Sequence, residues 1–88
     1  TMLNCYRECG INQRRIKDLK KLENLYALNN EKINNVNHLA DTLIELDCSN
    51  ECAIDQYGIK DLKRLEYLYA SNNEKINNVN HLANTLIE

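Results

Sequence analysis

The stretch Leu25–Glu45, LYALNNEKINNVNHLADTLIE, returns almost letter for letter at Leu68–Glu88 as LYASNNEKINNVNHLANTLIE. Working outward from it, the match takes in nearly the whole chain. Leu3–Glu45 set against Leu46–Glu88 gives 32 identities in 43 positions. The upstream half of the unit is looser, LNCYRECGINQRRIKDLKKLEN at 3–24 against LDCSNECAIDQYGIKDLKRLEY at 46–67. Self-similarity at a fixed period of this size points to a stack of repeated units, whatever each segment would do alone.

Each 43-residue unit divides again. Leu22, Leu43, Leu65 and Leu86 open the same phrase at intervals of 21, 22 and 21 residues. The apolar set from Leu22 is Leu22, Leu25, Ala27, Ile33, Val36 and Leu39; from Leu43 it is Leu43, Leu46, Cys48, Ile54, Ile59 and Leu62. The first part alternates with period two and suits a short strand, whereas the second keeps helical spacing. Asn29-Asn30-Glu31-Lys32 and Ser49-Asn50-Glu51 supply the polar turn between them.

This phrase resembles the leucine-rich-repeat family across essentially the whole chain. The long rung IDQYGIKDLKRLEYL at Ile54–Leu68 is most similar to the cysteine-containing subclass. An apolar residue follows the asparagine by three places, as Ile33 follows Asn30 and Ile76 follows Asn73. The departures are Ala27 and Ala70, or Cys5 and Cys48, at strand positions usually held by Leu, and Glu8 and Glu51 at the asparagine position of the long rungs. A thinner core and an interrupted asparagine ladder are expected.

The resemblance implies one α/β domain over residues 1–88: a solenoid of four rungs (about 3–24, 25–45, 46–67 and 68–88) with a short parallel sheet on the concave face and helical or 3-10 returns on the convex face. Strands are expected at Leu3–Cys5, Leu25–Ala27, Leu46–Cys48 and Leu68–Ala70, about 4.8 Å apart. No rung buries its apolar face alone, so stacking supplies the core. Neither terminal rung reads as a cap, and Glu88 stands one residue before the next strand leucine is due. The chain therefore reads as an excerpt or an engineered tandem, and its end rungs are expected to expose apolar surface and strand edges.

In that family the outward strand positions of the concave face meet the partner. Alternation puts Asn4, Tyr26, Asp47 and Tyr69 in one outward row; Tyr6, Leu28, Ser49 and Ser71 form the next, edged by Arg7, and Asn24, Glu45 and Tyr67 precede the strands. Tyr6, Tyr26, Leu28, Tyr67, Tyr69, Arg7 and Asp47 are the candidate partner-binding residues, tyrosine and arginine being enriched at binding hot spots. The competing reading is that the tyrosines only cover their own sheet by cross-rung packing. Leu28, expected to be exposed beside them, favours contact.

Other chemistry is weighed against the repeat itself. The cysteines recur as C-x-x-x-C, Cys5/Cys9 and Cys48/Cys52. Strand spacing separates Cys5 from Cys48 by about 10 Å, beyond the ~7 Å a disulfide spans. Reduced core thiols are expected, ahead of a Cys5–Cys9 bridge or a zinc site, and they suit an intracellular, cytoplasmic protein better than a secreted one. His38 and His81 hold equivalent places and read as scaffold. Arg14, Arg15, Lys17, Lys20, Lys21, Lys60, Lys63 and Arg64 fall on the long returns, diluted by Asp18, Glu23, Asp61 and Glu66. With a net charge of -2, nucleic acid is not an expected partner. No apolar run approaches the ~20 residues of a membrane span, and a signal peptide is not expected ahead of the first repeat. Asn29-Asn30-Glu31 lacks the order of a calcium loop. Gly10 and Gly58 are the only glycines, so neither phosphate-cradling loops nor nucleophile elbows are present. The expectation is a non-catalytic module without cofactor, binding a protein partner of unknown identity. The alternative is a structural fragment that self-associates end to end as a homo-oligomer through its terminal rungs.

Overall fold

The computed structural model describes residues 2–4, 11–82 and 85–88. Each repeat leucine sits at the centre of a three-residue strand: Leu3 in β1 (Met2–Asn4), Leu25 in β2 (Asn24–Tyr26), Leu46 in β3 (Glu45–Asp47) and Leu68 in β4 (Tyr67–Tyr69). A two-residue β5 (Leu86–Ile87) follows. The five strands form one parallel sheet in chain order, with Leu3 opposite Leu25, Leu25 opposite Leu46, and Leu46 opposite Leu68. The strands thus begin and end one residue earlier than the sequence pattern suggests. The ladder nonetheless reaches the next residue, since the amides of Ala27 and Cys48 donate to the carbonyls of Asp47 and Tyr69, each at 2.8 Å.

β5 corrects the expectation that the chain stops short of another strand. The repeat would bring position 89 opposite Leu68, but Ile87 pairs there instead. Pairing satisfies backbone groups that the edge of β4 would otherwise present.

Behind the sheet, the returns are 3-10 turns at Asn37–Leu39, Tyr57–Ile59 and Asn80–Leu82. The first return is a single α-helical turn, α1 (Gln13–Ile16), where the Asn12 side chain accepts from the Arg15 amide at 3.0 Å. Between strand and return, Asn29, Asn50 and Asn72 hold φ of 60°, 61° and 61°. Asparagine tolerates this left-handed conformation better than most side chains, which suits it to the corner of every described rung.

Leu25, Leu46 and Leu68 share a core with Ile33, Val36, Ile54 and Ile59, all at 0 % exposure. Equivalent positions in the outer rungs are less covered: Leu3, Ile11, Ile76 and Val79 are only partly buried. The result is a solenoid-like repeat of strand, turn and return.

Polar side chains fasten one rung to the next. Asn73 Nδ2 donates to the carbonyls of Cys48 (2.7 Å) and Ile54 (2.9 Å), and its Oδ1 accepts from the Lys75 amide. Asn30 Oδ1 accepts from the amides of Lys32 and Ile33. In the rung between them the expected occupant of this place, Glu51, is exposed and Cys52 is buried instead. An unpaired carboxylate is costly to bury, whereas a thiol behaves as a small apolar group.

Gln13 clamps the following rung: Oε1 accepts from the amides of Asn34 (2.8 Å) and Asn35 (2.9 Å), and Nε2 donates to the Asn35 carbonyl. Gln56 makes the same three bonds to Asn77 and Asn78. In return, His38 Nε2 meets the Ile16 carbonyl at 2.9 Å and His81 Nε2 meets that of Ile59 at 3.1 Å. A carbonyl only accepts, so Nε2 carries the proton in both rings.

Candidate functional site

The candidate site is the outer face of the sheet. With each central leucine turned inward, its two strand neighbours face out. The register lines these up across rungs, Asn24 beside Glu45 beside Tyr67 in one column and Tyr26 beside Asp47 beside Tyr69 in the other. Tyr67 is 41 % exposed, and Tyr26, Asp47 and Tyr69 are half-buried.

Glu45 organises the middle of this face. Its Oε1 accepts from the Tyr26 hydroxyl at 2.7 Å and from Asn24 Nδ2 at 2.8 Å. The bond to the Glu45 carboxylate, followed by desolvation, raises the Tyr26 phenol above its ordinary value. Desolvation raises Tyr69 as well, with the charges of Glu45 and Glu88 adding to it. Asp47 Oδ1 accepts from the Ser49 amide at 3.1 Å, which ties this carboxylate to the turn.

Four of the seven candidate residues, Tyr26, Asp47, Tyr67 and Tyr69, come together on this face. Tyr6 and Arg7 lie outside the described residues. Leu28 is half-buried rather than exposed, and Ser49 is buried, its Oγ accepting from the Ser71 amide at 3.1 Å. Within the second outward row Leu28 and Ser49 thus turn toward the corner, whereas Ser71 is exposed. The tyrosines also divide between the two readings weighed for them: Tyr26 is held by its own sheet, while Tyr67 is open. Glu45 is the member the candidate list lacks. Its signal was its place one residue before a strand leucine, a position that becomes the first strand residue once the strands shift back by one.

Elsewhere, Tyr57 is 68 % exposed on a return, with Lys60 Nζ 5.4 Å from its ring centre. Cys48 and Cys52 are buried free thiols, and burial raises both above the ordinary thiol range. Among the described residues, no three His, Cys, Asp or Glu side chains are grouped to hold a metal ion. No described helix is long and apolar enough to cross a membrane. A depression of about 510 Å³, lined by Glu31, Asn34, Glu51, Ala53, Asp55 and Lys75, lies at the turn edge and not on the strands. No family model, no curated protein and no solved structure matches the chain.

Proposed function

We propose that the chain is a leucine-rich-repeat array serving as a non-catalytic protein-interaction module, with the outer sheet face as its binding surface. The observation that carries this reading is the pairing of Tyr67 and Tyr69 on one three-residue strand, the first open to solvent and both beside the outward carboxylates of the next strand. Tyrosine gives a large contact area with a polar tip at modest entropic cost, which is why it concentrates at interfaces. A sheet fixed by parallel pairing and by the Asn, Gln and His fastenings holds these side chains on a rigid support.

The test compares the wild-type chain with the Tyr67→Ala/Tyr69→Ala variant as bait, after matched melting curves establish equal folding. Partners retained by the wild type should be lost from the variant. An identical set of partners on both baits would rule the sheet face out.

A further inference from the structure

We propose that the partner of the sheet face presents lysine or arginine side chains, as a cationic segment laid across β2, β3 and β4. This rests on the reading of that face as the binding surface.

The chain is nearly balanced in charge, but its sheet face is not. Among the described residues, the outward strand positions carry Glu45 and Asp47, with Glu88 just beyond β5, and no lysine or arginine. On the return side the exposed basic residues Lys17, Lys20, Lys21, Lys60, Lys63 and Arg64 stand among the exposed acids Asp18, Glu23, Asp41, Asp61 and Glu66, and Lys60 and Lys63 pair with Asp61 and Asp41. Net charge conceals the anionic face, because the mixed charges of the rest of the chain dilute it. An approaching segment meets an anionic face although the whole molecule is only weakly acidic.

The face is also built for a cation in detail. Glu45 Oε1 is fixed by two donors, the Tyr26 hydroxyl and Asn24 Nδ2. Among the described residues its Oε2 takes no hydrogen bond, so a guanidinium or ammonium can take that oxygen. Tyr67 follows in the same column as Glu45, and Tyr69 in the same column as Asp47. A carboxylate beside an aromatic ring attracts a cation twice over, by charge-assisted hydrogen bonding and by the ring's quadrupole. An acidic segment would meet repulsion from Glu45 and Asp47.

The test uses the full chain and two fluorescein-labelled dodecapeptides, one alternating Lys and Ser and the other Glu and Ser, read by anisotropy. The lysine peptide should bind, weaken with salt, and lose about tenfold in affinity on Glu45→Gln/Asp47→Asn. Tyr67→Ala, at an exposed position, should weaken it severalfold with the charge unchanged. Glu31→Gln/Glu51→Gln removes the same charge at the turn edge and should leave binding unaltered. The proposal falls if the turn-edge variant weakens binding equally, if the glutamate peptide binds as well, or if the lysine peptide fails to bind at about 1 mM. It also falls if light scattering finds the face occupied by the basic returns of a second copy. Any of these outcomes leaves the partner-capture result of the Tyr67→Ala/Tyr69→Ala bait standing on its own.

Discussion

Gly58 lies against the backbone of Asn34 so closely that a β-carbon at this position would sit 2.1 Å from the Asn34 carbonyl oxygen. The Val36 amide donates to the Gly58 carbonyl at 3.0 Å, so the two rungs are drawn together at the same spot. Only a residue without a side chain allows this approach. Gly58→Ala should therefore destabilise the chain by about 2 kcal/mol or more, because backbone rather than a side-chain tip must give way. The same shift of 43 residues brings Gly58 onto Arg15, an exposed residue of α1. Arg15→Ala should change stability by less than about 0.5 kcal/mol. Denaturant melts of the two variants check both values, and equal effects would contradict the close approach.

The half-buried glutamine clamps should contribute measurably to stability. Gln13→Ala and Gln56→Ala each remove three hydrogen bonds to the next rung, and a loss of about 1–2 kcal/mol is expected. Gln→Glu is the sharper substitution. It keeps the acceptor for the two amides but puts a carboxylate oxygen against the Asn35 or Asn78 carbonyl. Gln56→Glu should be at least as destabilising as Gln56→Ala at neutral pH, and a neutral effect in thermal melting would show that the amide donor contributes nothing.

Leu25→Ala and Leu68→Ala each empty a fully buried strand position. Each should cost about 2–5 kcal/mol, depending on how far the neighbouring rungs collapse into the space. Leu19→Ala, on a return leucine that is 37 % exposed, should cost clearly less. Urea titration of the three variants would order them, and a neutral Leu25→Ala would put the inward register in error.

Alkali should unfold the chain through its thiols. Burial raises the Cys48 pKa above its ordinary 9.0, so the unfolded chain gives up this proton first. A group raised in the folded state contributes stability that is complete below its unfolded value and is lost as pH climbs toward the folded one. The melting temperature should hold steady around neutrality and decline from about pH 9 upward. Cys52, raised in the same direction by burial, adds to the slope. Cys48→Ala should lower stability at neutral pH but flatten the alkaline decline; an unchanged slope would mean the thiol is not protected. A thiol reagent should likewise reach Cys48 and Cys52 only after denaturation.

Much of this architecture was legible from leucine spacing alone. Leu25, Leu46 and Leu68 face inward as the alternation requires, and Ile33, Val36 and Leu39 pack behind them. What the spacing could not give was the strand limits, since three-residue strands leave one residue of play at each end. The interruption of the asparagine ladder at Glu51 is legible in the sequence, whereas the residue that fills the place is not. Glu51 follows Asn50 as Asn30 follows Asn29, yet burial selects Cys52 because the glutamate has no partner inside. Of the candidate site, the tyrosine columns were visible from register, while the Glu45 bridge depended on hydrogen bonds that no pattern of residue types specifies. The Gln and His fastenings were hidden in plain sight, as repeated polar residues whose contacts are all to backbone.

Those fastenings also set the grain in which such a chain can change length. Gln13 and Gln56 reach forward from long rungs to short ones, and His38 and His81 reach back from short to long. Removing a single rung would leave a glutamine facing a corner of the wrong kind and a histidine facing the wrong carbonyl. Growth or loss by genetic duplication is therefore quantised in pairs, and the 43-residue period is the inheritable unit while the 21- or 22-residue rung is only its half.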